Sequence, residues 1–113
     1  FLIVDAGMND LMRPSLYSAR HKIENLVESS EKKDLYSVVG PVCETADSFG
    51  SDFEVSANAG DYLVVYSAGA YGSSMGSNYN TRLKPAEILV DQKSHKVIRK
   101  AETFDDLIKE EEL

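Results

Sequence analysis

The residues whose types and spacing could do chemistry fall in short, separate stretches of the sequence. In Gly40-Pro41-Val42-Cys43-Glu44 the only thiol of the chain stands next to a carboxylate. Neighbours on a strand point to opposite faces, so Cys43 and Glu44 could serve one ligand only if the Gly40-Pro41 break turns the chain into a loop. Otherwise the pair is an inert cysteine beside a solvated glutamate. Arg13 and Tyr17 are spaced i, i+4, which on a helical turn sends both to one side, where a planar guanidinium and a phenol could clamp a carboxylate. The plainer reading is a surface arginine over a packed tyrosine. In Gly69-Ala70-Tyr71-Gly72-Ser73-Ser74 the backbone and hydroxyl donors could cradle a phosphate, but the stretch has neither the lysine of a nucleotide loop nor the spacing of a dinucleotide fingerprint. His21 and His95 lack a second metal-type ligand at useful spacing, so both read as surface imidazoles and no metal is expected.

The elements that must position these groups are mostly short strands. Phe1-Leu2-Ile3-Val4 is strand-like and closed by Asp5-Ala6-Gly7. Met8, Leu11 and Met12 make one amphipathic helical turn that Pro14 ends, and Pro14 suits the opening of a second turn carrying Arg13 and Tyr17. Residues 20–28 fit a helix through Ile23, Leu26 and Val27, and equally a strand through His21, Ile23, Asn25 and Val27. Residues 29–34 read as a polar loop, 35–42 as a strand broken near its end by Gly40-Pro41, and 62–68 as the most apolar strand. Residues 69–85 form a long loop of the kind that is usually functional or disordered. Residues 86–91 and 96–101 then pair as a hairpin across a four-residue connection, Gln92-Lys93-Ser94-His95. Thr103 is an N-cap with Asp106 completing a capping box, and Glu110 to Glu112 sit badly at the negative end of the helix that follows, which should fray there. Short strands joined by turn signals, a short N-terminal helical turn and a C-terminal helix predict an all-β, Greek-key-like antiparallel sandwich or barrel.

Composition bounds the partners. A chain of 113 residues is one domain's worth, and 12 Lys and Arg against 19 Asp and Glu leave a net charge of −7, the wrong sign for nucleic acid or an anionic membrane face. No apolar run approaches the roughly 20 residues of a membrane helix, and a lone cysteine fits a reducing, cytoplasmic setting. The chain opens on Phe1 inside an apolar run without an initiator Met, so residues 1–113 are expected to be a domain cut from a longer polypeptide.

Read in order, Phe1-Leu2-Ile3-Val4-Asp5-Ala6-Gly7-Met8-Asn9-Asp10-Leu11-Met12-Arg13-Pro14-Ser15-Leu16-Tyr17, Val38-Val39-Gly40-Pro41-Val42-Cys43-Glu44, Gly69-Ala70-Tyr71-Gly72, Ser77-Asn78-Tyr79-Asn80 with Arg82, and Pro85-Ala86-Glu87-Ile88-Leu89-Val90 form a series spanning nearly the whole chain. The series resembles the C-terminal domain of the diaminopimelate decarboxylases, within the fold-type III pyridoxal-phosphate decarboxylases. The resemblance implies a single C-terminal β-domain. An N-terminal (β/α)8 barrel, absent from this chain, would carry the cofactor lysine and hold most of the pyridoxal 5'-phosphate. It implies a homodimer with shared active sites that converts meso-2,6-diaminopimelate to L-lysine and CO2, a reaction this fragment alone cannot run. Arg13 and Tyr17 would hold the distal carboxylate, Glu44 the distal ammonium, and Tyr71 the cofactor phosphate or the adjacent substrate carboxylate. Cys43 would return a proton to the α-carbon, work that suits a thiol, whose unperturbed pKa is about 8.5. Cys43 and Glu44 would serve the partner subunit's site, and Arg13, Tyr17 and Tyr71 their own. Ornithine-type relatives carry aspartate after the cysteine, so Glu44 with Arg13 favours the diaminopimelate enzyme. The resemblance also favours a strand over residues 20–28 and reads residues 28–34 and 51–58 as variable loops. A decarboxylase of a related basic amino acid, or a free-standing β binding or assembly module, are the competing readings.

Overall fold

The computed structural model describes residues 1–28, 30 and 32–112, so the loop expected at 29–34 falls partly on residues outside the described ones, Ser29 and Glu31. The chain divides into two compact units, Phe1–Gly76 and Ser77–Leu113.

In the first unit β1 (Leu2–Ile3) lies beside β3 (Asp34–Val39), which pairs on its other side with β4 (Ser48–Val55). A second sheet joins β2 (Ile23–Asn25) to β5 (Leu63–Val65) with Ile23 opposite Val65. Residues 20–28 therefore hold a strand, as the resemblance implied. The expectation of a purely antiparallel arrangement fails at one place: β1 and β3 run parallel, with Leu2 opposite Val38 and Ile3 opposite Val39. A parallel neighbour needs a long crossover, and residues 4–33, which contain a short helix, α1 (Arg13–Tyr17), and β2, supply it. Among the described residues the pairings form open sheets of three, two and two strands.

The longest strand, β4, takes in residues 51–55 of the stretch 51–58 that the resemblance read as a variable loop. Its inward residues, Phe49, Phe53 and Val55, are buried, but Gly50 at φ 122° and Asp52 at φ 59° interrupt the alternation, and the register against β3 shifts beside them. An irregular ladder of this kind hides a strand from a period-two reading. Arg20 holds the irregularity from outside. Its Nη1 donates to the Ser51 carbonyl at 2.8 Å and its Nη2 to that of Asp52 at 3.2 Å, while the guanidinium lies 4.5 Å from the Phe53 ring centroid.

Leu11, Ile23, Val38, Phe49 and Phe53 form the core, with Leu2, Val4, Leu63 and Val65 packed against it. Ile23 connects the second sheet to this core, and a reciprocal amide pair, Asn25 Nδ2 to the Ser56 carbonyl and Ser56 N to Asn25 Oδ1, ties β2 to the end of β4. His21 is buried at 4% exposure with Nδ1 3.0 Å from the Tyr66 carbonyl, which corrects its reading as a surface imidazole. The fixed acceptor beyond β5 gives the ring a reason to be inside. His95 is exposed.

The second unit holds one turn of 3-10 helix (Tyr79–Thr81), the hairpin of β6 (Glu87–Asp91) and β7 (Ser94–Arg99), and a C-terminal helix (Phe104–Ile108). Asp91 pairs with Ser94, so the hairpin connection is Gln92-Lys93 alone rather than the four residues expected. Gln92 takes φ 49°, as short hairpin turns demand. The capping box at Thr103 and Asp106 is present, and the helix stops at Ile108, before the terminal acidic run.

Candidate functional site

All of the candidate side chains named from sequence, Arg13, Tyr17, Cys43, Glu44 and Tyr71, lie in the first unit. Helix α1 (Arg13–Tyr17) forms where Pro14 was expected to open a turn; Pro occupies its first positions, and Ser18 ends it in the left-handed region at φ 53° with its N–H donating to the Arg13 carbonyl. Arg13 is half-buried and Tyr17 64% exposed, with the i, i+4 spacing on one side of the helix intact. The segment before it is a tight turn. Gly7 N donates to Asp10 Oδ2 at 2.8 Å, and the Asp10 and Leu11 amides return to the Gly7 carbonyl at 2.9 and 3.1 Å. Met8 to Asp10 are therefore a hydrogen-bonded turn, and the helix begins only at Arg13.

The chain leaves β3 at Val39, and residues 40–47 are a loop, the condition under which Cys43 and Glu44 need not point to opposite faces. The loop is closed by its own backbone: Glu44 N to the Val42 carbonyl at 2.8 Å, Asp47 N to the Glu44 carbonyl at 3.1 Å and Gly40 N to the Asp47 carbonyl at 3.0 Å. Val42 is buried beneath it, while Cys43 and Glu44 are exposed. Ser15 Oγ donates to the Ala46 carbonyl at 2.6 Å, fixing the helix of Arg13 and Tyr17 to the loop of Cys43 and Glu44. The structure thus brings these four residues onto adjoining segments. Tyr71 stands on a separate segment of the same unit, at φ 63° before the short helix α2 (Gly72–Met75), and its side chain is 65% exposed. The expected long loop at 69–85 contains that helix and the 3-10 turn.

Asp47 and Ser15 are the residues here that sequence reasoning missed. Asp47 is buried at 4% exposure; its Oδ1 accepts from Met8 N at 2.7 Å and its Oδ2 from Val42 N at 2.6 Å. A Cβ on Gly40 would collide with both carboxylate oxygens, and this close approach is why glycine precedes Pro41. Neither feature has a periodic signature, and in the sequence Asp47 looks like any loop aspartate.

Three grooves of the first unit run along β1, β2 and β5, and the most apolar of the three encloses about 580 Å³ between Leu2, Ile23, Val38, Phe49 and Leu63. The candidate side chains line none of these grooves. Tyr17, Cys43, Glu44 and Tyr71 are exposed and Arg13 is half-buried, and a pocket that encloses a small molecule would need a second surface over them. The donor set fits pyridoxal phosphate only as an outlying contact: the Tyr71 phenol offers one exposed donor, and the neighbouring helix is too short to cradle a phosphate. Among the described residues no cluster of three or more His, Cys, Asp or Glu could hold a metal ion, and no helix is long and apolar enough to cross a membrane.

Residues 1–69 match the pyridoxal-dependent decarboxylase C-terminal sheet domain, and the chain belongs to that family. Within it, the chain is 50% identical over 109 residues to the diaminopimelate decarboxylase of Aquifex aeolicus, a match covering 96% of this chain and 26% of that protein. It is 51% identical over 106 residues to the diaminopimelate decarboxylase of Neisseria meningitidis serogroup B, covering 93% of this chain and 25% of the relative. The crystal structure of the M. jannaschii diaminopimelate decarboxylase superposes with a TM-score of 0.92 at 42% identity, over 98% of this chain and 26% of that one. The Helicobacter pylori diaminopimelate decarboxylase complexed with L-lysine gives 0.86 at 45% identity, over 95% of this chain and 27% of that one. The chain spans about a quarter of the length of these relatives.

Proposed function

We propose that residues 1–113 are the C-terminal β-domain, Greek-key-like when completed, of a cytoplasmic diaminopimelate decarboxylase that releases CO2 from meso-2,6-diaminopimelate and yields L-lysine. The observation that carries the reading is the joining of the Arg13–Tyr17 helix to the Cys43–Glu44 loop on an open surface. One side of the join offers a fork and a phenol for a carboxylate. The other offers a carboxylate for an ammonium and a thiol that donates a proton. Each site of a dimer takes one side of the join from each copy, and diaminopimelate, with a carboxylate and an ammonium at its distal end, fits the combined set better than ornithine, which has no distal carboxylate for Arg13.

In this reading Arg13 and Tyr17 bind the distal carboxylate, Glu44 binds the distal ammonium, and Cys43 delivers a proton to the α-carbon after CO2 has left. Tyr71 contacts the cofactor phosphate or the neighbouring carboxylate. Pyridoxal phosphate, held mainly by an N-terminal barrel domain, supplies the electron sink for decarboxylation. The open surface receives its cover from that barrel and from a second copy of the protein. Cys43 and Glu44 serve the partner subunit's site, and Arg13, Tyr17 and Tyr71 their own. Because Ser15 fixes the two sets side by side, the two sites of the dimer abut.

The test is a comparison of substrates on the full-length protein. Diaminopimelate should be decarboxylated and ornithine and arginine should not. Arg13→Ala should raise the KM for diaminopimelate about tenfold to a hundredfold, the worth of a charge-assisted fork. An unchanged KM, or preference for ornithine in the unsubstituted enzyme, rejects the assignment.

A further inference from the structure

We propose that Asp47 is a positioning residue: its buried carboxylate clamps the Cys43–Glu44 loop to the turn that leads into the Arg13 helix, so that one side chain sets both groups of candidate residues, each in its own site of the dimer. The proposal rests on the functional reading above for its kinetic consequence and on geometry alone for the clamp. The two oxygens of Asp47 take the Met8 amide at 2.7 Å and the Val42 amide at 2.6 Å, joining backbone segments 34 residues apart immediately before the thiol and before α1. The residue's own backbone closes the loop as well, its N–H donating to the Glu44 carbonyl and its carbonyl accepting from Gly40 N. A carboxylate is suited to this place because it is acceptor-only, and both groups facing it are donors. Gly40 leaves the space it fills, and Gly7 is tight against the same arrangement, with a Cβ there falling 2.8 Å from Asn9 Oδ1 and 3.0 Å from Val42 Cγ2. The Ser15 to Ala46 bond then carries the same constraint to the helix. Cys43 and Glu44 hang between Val42 and Asp47, both buried, with their own side chains exposed.

Two substitutions in the full-length enzyme attack the clamp from opposite sides. Asp47→Asn turns one acceptor into a donor facing an N–H, and Gly40→Ala fills the space of the carboxylate while leaving Asp47 in place. Both should raise hydrogen exchange at the Met8 and Val42 amides by about tenfold or more, since each loses a charge-assisted bond, with β6 and β7 amides unaffected. Both should also lower kcat for diaminopimelate about tenfold or more while raising KM, at a temperature where each variant is fully folded and fully loaded with cofactor. A general loss of stability would instead spread the exchange and leave the folded fraction with normal kcat and KM. Unchanged exchange at Met8 and Val42 in either variant overturns the clamp, and released exchange with wild-type kcat and KM overturns the positioning role. If the unsubstituted enzyme releases no CO2 from diaminopimelate, the functional reading falls and the exchange data alone decide on the clamp.

Discussion

The first unit keeps its side chains in place by burying them, the second by bonding them locally. In Phe1–Gly76 the buried apolar residues include Val38 and Val55 at 1% exposure, Phe49 at 4% and Phe53 at 5%. In Ser77–Leu113 no described residue is buried, and Ile88, Leu89, Val90, Val97 and Ile98 present both faces of the hairpin to solvent. What orders that unit is a set of polar contacts. Glu102 Oε2 accepts from Asn78 Nδ2 at 2.6 Å and from Lys84 N at 2.8 Å, Arg99 pairs with Glu87 at 3.0 Å, and Thr103 and Asp106 cap the last helix. The candidate side chains are carried by the unit whose core can hold a loop to within hydrogen-bond tolerance.

The sharpest way to break this contrast is to truncate one apolar side chain in each unit. Phe53→Ala should cost about 3–5 kcal/mol, the usual range for a buried aromatic, and frees Arg20 from its ring contact. Val97→Ala, on the exposed hairpin, should change stability by less than about 0.5 kcal/mol. Urea unfolding of the 113-residue chain measures both, and equal losses would erase the distinction. A smaller effect is expected at the cap. Thr103→Ala removes the acceptor of the Asp106 amide and should cost about 1 kcal/mol, seen as faster exchange at Asp106 and Leu107 with the first unit's amides unchanged.

Acid should loosen the second unit locally. The Lys84 amide, then the Asn78 side chain, hold the Glu102 carboxyl below its ordinary value; the Thr103 amide and hydroxyl do the same for Asp106. A carboxylate with a depressed folded-state pKa stabilises fully above its unfolded pKa, and that contribution disappears as pH falls through the folded value. The protection of the Lys84 amide, measured against its intrinsic exchange rate at each pH, should therefore fall as acid protonates Glu102. Glu102→Gln should flatten that dependence, and a slope retained in the variant would assign it elsewhere. Lys22 and Glu24 shift each other in the favourable directions through their 2.7 Å contact, but both are exposed and the pair is weak evidence for stability.

Several of these features could be read from the sequence. The runs around Leu2, Val38 and Val64 became strands because apolar β-branched clusters between turn signals have few alternatives, and Thr103 with Asp106 announced a cap through spacing alone. Strand β4 escaped because positive φ at Gly50 and Asp52 puts Phe49 and Phe53 inward without the residue between them. The hairpin loop shortened because Ser94 and His95, polar as they are, pair with Asp91 and Val90. The parallel pairing of β1 with β3 is a long-range choice that no local pattern encodes. At the site, the spacing of Arg13, Pro14 and Tyr17 gave the helix and its common face, whereas the roles of Cys43, Glu44 and Tyr71 came from resemblance to a family. The buried carboxylate of Asp47 looked like any loop aspartate, since what distinguishes it is a pair of amides, one of them 39 positions away.

The central claim is that this chain supplies the proton donor of a decarboxylase site, and Cys43→Ala in the full-length enzyme tests it most directly. With cofactor loading and diaminopimelate binding retained, L-lysine release should fall by at least about a hundredfold, within the usual contribution of a positioned acid. Lysine release at near the wild-type rate would contradict the claim.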